Sequence, residues 1–197
     1  MAQITTTIQV QTGPRDRSTT LLRGILVFPV LVFLGAFATN FGSDNNLSYS
    51  AGMVLAPAFL ALLVRGKYPS YVLTFNHAVM ELNARVGAYL FLLTDDYPSI
   101  EANPKIAVEF PDVAGGKALN QFAPLFKWFL AIPLYIVGAI YFIYALIVTF
   151  VAWLSTIASG IYPEWAIHPV LGTIQYWNRV YGYAFVLVTD EYPSFSL

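Results

Sequence analysis

Three stretches of this chain carry no charged side chain: Gly24–Thr39, Ala51–Val64 and Trp128–Ala158. Uncharged runs of this kind suit a hydrocarbon core about 30 Å thick, so they predict membrane-crossing helices. The first two are separated by NFGSDNNLSYS, rich in turn formers, which predicts a helical hairpin with short legs. The third supports two readings: as one helix it extends about 46 Å, and as a hairpin each leg extends about half that.

Shorter patterns flank these runs. ITTTIQV (Ile4–Val10) and KIAVEF (Lys105–Phe110) alternate with period two and are rich in β-branched residues, which predicts two strands. Between residues 72 and 86, apolar side chains recur at Val72, Phe75, Val79, Leu82 and Val86, with Thr74, His77, Glu81 and Arg85 on the opposite helical face. That spacing predicts an amphipathic helix lying in the membrane interface. A counterpart is expected to begin at Pro169, with Val170, Ile174, Trp177 and Tyr181 as its stripe and His168 held extended by the following proline.

Charge decides between the two readings of the third run. If both long runs are hairpins, all ten basic residues fall on one side of the membrane, as the positive-inside rule favours. A single long crossing would place Arg179 on the other side. The expectation is therefore four crossings with both termini cytoplasmic and a second turn near Gly138–Tyr144. Composition agrees with a membrane protein: 57% hydrophobic and 11% charged residues, with a mean hydropathy of +0.62. The polar N-terminus predicts no cleavable signal peptide. Without cysteine there is no disulfide, thiolate ligand or cysteine nucleophile, and a net charge of −1 points away from nucleic acid.

The chain also repeats itself. LTDDYPSI (Leu93–Ile100) returns as VTDEYPSFSL (Val188–Leu197). Arg23 with Pro29 matches Lys127 with Pro133, Tyr68-Pro69 matches Tyr162-Pro163, and Arg85 matches Arg179. Two tandem units follow. The first, 1–103, holds a strand, a transmembrane hairpin over 21–65 and an interfacial helix over 70–93. The second, 104–197, holds a strand, a hairpin over 123–159 and an interfacial helix over 169–188. The first copy carries an additional loop, Asn40–Ser50, and tandem units of this kind are expected to sit about a pseudo-two-fold axis with their strands paired.

The basic residue followed by LAIP (Lys127–Pro133), the Gly-x-Tyr-Pro segments at Gly66–Pro69 and Gly160–Pro163, and NARVGAYLFLLTDDYP (Asn83–Pro98) together resemble the bacterial, largely actinobacterial, membrane family called domain of unknown function 4389. The resemblance covers both halves. It implies a helical protein of the bacterial plasma membrane and supplies no activity.

Candidate chemistry is sparse. Asp95 and Asp190 could meet Arg85 and Arg179 from the other repeat to grip a lipid headgroup or a partner. Equally, the Thr-Asp phrase could be a turn closed by Tyr97-Pro98 and Tyr192-Pro193. Asn76 and Asn83, near the apolar face of their helix, could bind a lipid carbonyl or hydrogen-bond the hairpin ends. His77 and Glu81 lie one turn apart but fall short of a metal set, and Gly115-Gly116-Lys117 lacks phosphate-loop spacing. The aromatic residues from Tyr135 to Trp153 suit packing and interface anchoring more than a cofactor groove. No expected crossing carries an ionisable residue in its core, which argues against ion-coupled transport, and no catalytic triad or cofactor loop is evident. The reading is an all-α, four-helix integral membrane protein with short cytoplasmic strands. It is non-catalytic, needs no cofactor, and serves as an accessory or scaffold subunit among membrane lipids and other membrane proteins. The alternative is a lipid-handling protein.

Overall fold

The computed structural model describes residues 2–35, 55–101 and 103–197. Within them the chain is mostly helical, with one small sheet. In chain order the elements are β1 (Thr5–Ile8), α1 (Arg17–Leu26), α2 (Phe28–Gly35), α3 (Leu55–Arg65), α4 (Ser70–Leu90), β2 (Ile106–Glu109), α5 (Ala123–Leu130), α6 (Ile132–Ser159) and α7 (Glu164–Tyr181). Three layers result. Helices α1, α2, α3, α5 and α6 form an outer layer, α4 and α7 a middle layer, and the antiparallel pair β1–β2 packs beneath α4 and α7. The strands pair Thr5 with Glu109 and Ile8 with Ile106. Their alternation turns Ile4, Thr6, Ile8, Ile106 and Val108 inward and leaves Thr5, Thr7, Lys105 and Glu109 exposed.

The outer helices begin alike in the two halves. Asp16 caps α1 by accepting the Ser18 N–H at 2.9 Å. The helix then breaks at Val27 and restarts into Pro29, just as α5 breaks at Ala131 and restarts into Pro133. Each proline lacks the N–H that would tie it to the preceding turn, so the axis bends there. Val27 and Ala131 are both fully buried at the bend.

The second predicted hairpin is not formed. Ile132–Ser159 is one unbroken helix of 28 residues, about 42 Å long. The expected turn at Gly138–Tyr144 fails for a physical reason: Gly138 is there for close packing. A Cβ on it would lie 2.8 Å from the Trp177 ring and 3.0 Å from Tyr176, so glycine lets α6 and α7 approach. The helix stops only at Gly160, whose φ of 78° is the left-handed conformation that ends helices. Among the described residues two stretches, Arg17–Gly35 and Ile132–Ser159, are long and apolar enough to cross a membrane, where four crossings were expected. The apolar α3 is shorter, and the turn expected over 40–50 lies outside the described residues.

The helices expected to lie on the membrane surface are the middle layer instead. The polar face of α4 is covered by β2: His77 Nε2 lies 2.6 Å from Val108 O, and Glu81 Oε1 accepts the Val108 N–H at 3.5 Å. Helix α7 begins at Glu164, so Pro169 lies inside it rather than at its start, and His168 is helical. Fully buried Ala166 and Val170 flank that proline against the core, and this packing carries the helix through the missing bond.

The halves exchange contacts reciprocally. Tyr68 OH donates to Val186 O at 2.7 Å, while Tyr162 OH reaches Phe91 O at 3.4 Å. Arg17 donates to Ala158 O at 3.2 Å, while Gln121 donates to Leu63 O at 2.8 Å. Likewise α4 packs on β2, and α7 on β1. Such reciprocity is what an approximate two-fold between the halves requires.

Candidate functional site

Arg23 and Lys127 are basic residues placed in apolar helices of the outer layer, and both turn inward. An unpaired cation there would carry the full cost of desolvation, so each needs an anion. Arg23 finds Asp95, with Nη2 at 2.5 Å from Oδ1, and Nη1 donates to Tyr89 O and to Thr94 O at 2.8 Å. Lys127 finds Asp190, with Nζ at 2.7 Å from Oδ1, and also donates to Thr189 O at 2.7 Å. The Arg23 guanidinium lies over the Tyr89 ring at 4.4 Å, and the Lys127 ammonium over Tyr183 at 5.2 Å.

The Thr-Asp phrase shapes both stations. Thr94 accepts the Asp96 N–H through its hydroxyl, as Thr189 accepts the Glu191 N–H, each at 3.1 Å. These short hydroxyl turns aim the carboxylate at the start of the lead helix. There Asp95 Oδ2 accepts the Asp16 N–H at 3.3 Å, and Asp190 Oδ2 accepts the Asn120 N–H at 2.6 Å. Just before each phrase a non-glycine residue takes the left-handed conformation, Leu92 at φ 67° and Leu187 at φ 63°. The second copy carries one more residue between its tyrosine and this point, and the π turn Gly182–Val186 absorbs it.

The stations differ in charge. Asp95 serves a second guanidinium, since Arg15 Nη1 lies 3.5 Å from it and Arg15 Nη2 donates to Gln11 O and Leu93 O. Burial, together with the neighbouring Arg23 cation, pushes the Arg15 guanidinium below its ordinary value against the pull of Asp95. Burial also lowers Lys127, opposed by its hydrogen bond to Asp190 and by that residue's charge. Tyr68 and Tyr162, whose hydroxyls bridge the halves, are pushed up to about 12 by burial and remain neutral.

The expected pairing of Asp95 and Asp190 with Arg85 and Arg179 across the repeats is not what the structure holds. Arg85 is buried, donates to Ser99 O at 2.7 Å and to Glu101 O, and pairs with Glu81 at 3.4 Å. Arg179 donates to Ser196 O. The two arginines thus fasten the tail after each Tyr-Pro rather than presenting charge to a headgroup. Asn83 is exposed and donates to its own helix at Val79 O, whereas Asn76 is fully buried beside the Tyr68 hydroxyl. Lys127, Arg23 and Arg15 are what sequence reasoning missed as partners. A signal existed: a lone cation beside an uncharged run needs a counter-ion, and the duplicated aspartate recurs in register with it.

Between α4 and α7 lies a cavity of about 430 Å³ lined mainly by apolar side chains such as Phe91, Phe142 and Ile174, with Asn83, Thr173 and Asn178 among them. The buried Trp177 indole N–H has no acceptor among the described residues. Each aspartate is committed to a cation and to a helix start. No family model, no curated protein and no solved structure matches this chain.

Proposed function

We propose that the protein is a non-catalytic, membrane-embedded accessory or scaffold subunit of a larger complex in a bacterial plasma membrane, akin to the family called domain of unknown function 4389. One observation carries this reading. The outer layer exposes a continuous set of large apolar side chains, among them Ile25 at 73% and Phe129 at 79%, together with Phe126, Ile140 and Ile147. Exposed apolar patches mark a membrane or protein interface, and Arg23 and Lys127 turn their charges inward from this layer while exposed Arg17 and Arg65 sit at helix ends. Extraction of native membranes in a mild detergent, followed by native electrophoresis and mass spectrometry, tests it. A constant co-migrating membrane protein is expected, and a monomer accompanied by lipid alone overturns the accessory role.

A second reading, lipid handling, is favoured by the cavity between α4 and α7. Its walls are mainly apolar, and the exposed Asn83 amide among them would suit a lipid ester carbonyl. A lipid retained through delipidating washes and lost from Asn83→Leu supports it. Retention in that variant counts against it.

A further inference from the structure

Length and composition allow α6 to cross a bilayer, but what packs beside it argues otherwise. Helix α7 runs antiparallel along α6: Tyr176 OH donates to Leu134 O at 2.8 Å, the Tyr176 and Trp177 rings press on Gly138, and Thr173 Oγ1 lies 3.4 Å from Tyr141 O. On its other side the same stretch of α7 holds β1, with Gln175 donating to Thr6 O at 3.0 Å and Asn178 donating to Thr6 Oγ1 at 2.9 Å. The residues of α7 that hold the sheet therefore lie opposite the first third of α6, Leu134–Tyr141.

A crossing takes about 20 residues. Any such stretch of the 28 residues of α6 that begins at or before Gly138 takes in that level and would carry the sheet into the hydrocarbon, and a crossing by Ile140–Ser159 alone would still hold the sheet at the boundary. The exposed face of that sheet holds Thr5, Thr7, Gln9, Lys105 and Glu109, and Lys105 pairs at the surface with Asp96 at 2.7 Å. Exposed edge strands and charges of this kind are not tolerated against lipid. The contact with α7 continues along α6, whose Val148 and Ala152 share one buried core with Ala166 and Val170.

We infer that α6 lies along a single leaflet, its exposed apolar face sunk among acyl chains and the sheet facing water on the same side. The partner is one leaflet of a lipid bilayer. The long apolar helix is then an in-plane float whose narrow inner stripe, Leu134, Gly138, Ala145, Val148, Ala152 and Thr156, packs on the inner layer. Amphipathic elements that bind this way bury about 5–10 Å into the boundary between headgroups and acyl chains.

This inference rests on the membrane reading above, and the test separates the two. The chain has no cysteine, so single cysteines can be placed at exposed positions of the full-length protein: Ile136→Cys, Leu146→Cys and Leu154→Cys on α6, and Thr7→Cys on the sheet. Each is labelled with an environment-sensitive fluorophore in phosphatidylcholine–phosphatidylglycerol vesicles carrying bromine at defined acyl depths. The three α6 sites are expected within one helix diameter of the same depth, about 10 Å, and Thr7→Cys is expected unquenched and open to an impermeant maleimide. A depth that passes steadily through the bilayer centre over the roughly 27 Å from Ile136 to Leu154 overturns the inference. So does quenching of Thr7→Cys, or its protection by a second copy of the chain. Failure of the wild-type chain to float with vesicles overturns the membrane reading itself.

Discussion

The two ion stations are built to one plan with different charge. The first places two guanidiniums on one carboxylate, Arg15 and Arg23 on Asp95; the second places one ammonium on Asp190. The difference is chemical as well as numerical. A buried guanidinium stays charged and satisfies a fork of acceptors, whereas a buried ammonium can shed its proton. The first station is thus locked into an ionised state, and the second has a neutral state within reach. From this it follows that the first half should depend on its carboxylate more heavily than the second.

The sharpest break is removal of the carboxylates. Asp95→Ala leaves two buried guanidiniums unpaired, and a loss of about 3–5 kcal/mol in unfolding free energy is expected at neutral pH. Asp190→Ala should cost less, since Lys127 can neutralise. The pH dependence separates them. Lys127 is held below its ordinary value, so the folded state binds fewer protons there than the unfolded state as pH rises toward 10.5, and stability rises through that window. In Asp190→Ala that window widens downward, so its deficit should shrink as pH is raised, while the deficit of Asp95→Ala should stay flat. Denaturant titrations in detergent at several pH values measure both, and equal, parallel deficits would refute the contrast.

Exchanging the cations is the next test. Arg23→Lys keeps the charge but gives up the fork that reaches Asp95, Tyr89 O and Thr94 O together, so a loss of about 1.5–3 kcal/mol is expected. Lys127→Arg should be destabilising through crowding, by about 1–3 kcal/mol, because its site presents Thr189 O and one carboxylate oxygen and was shaped for a compact ammonium. Thermal unfolding of the two variants compares them. A neutral Arg23→Lys would show that the fork contributes nothing.

The smallest effects are expected at the reciprocal tyrosines. Tyr68→Phe removes a buried hydroxyl-to-carbonyl bond of 2.7 Å and leaves Val186 O unmatched, at a cost of about 1 kcal/mol. Tyr162→Phe should cost less, because its bond to Phe91 O is 3.4 Å long. A larger loss at Tyr162 than at Tyr68 would mean that the halves are not held together by these bonds in that order.

Much of the architecture was legible in the chain. The alternation in Ile4–Val10 and Lys105–Phe110 marked the strands, and the equivalence of Arg23 with Lys127 and of Asp95 with Asp190 marked the stations' components. Their partners were misassigned because Arg85 and Arg179 recur with the same regularity, and periodicity along a chain does not say which repeated cation meets which repeated anion. Gly138 was ambiguous for a similar reason. A glycine serves a turn or a close helix contact equally well, and only the rings of Tyr176 and Trp177 decide between them. Pro169 suggested a helix start because its rigid backbone favours one, yet packing of Ala166 and Val170 holds the helix through it.

What the sequence determined by itself is local: uncharged runs that must leave water, alternating segments that must be half-buried, and a duplication that requires whatever one half does to be done again. What only the tertiary structure decided is which face meets which. The middle layer claims the amphipathic faces of α4 and α7, the Thr-Asp turns claim the lone cations of α1 and α5, and the sheet lies across α7 from the first third of the longest apolar helix. These choices depend on contacts far apart in the chain. They rest on the cost of leaving a charge or a backbone group unpaired, and that cost is set by neighbours the local sequence does not contain.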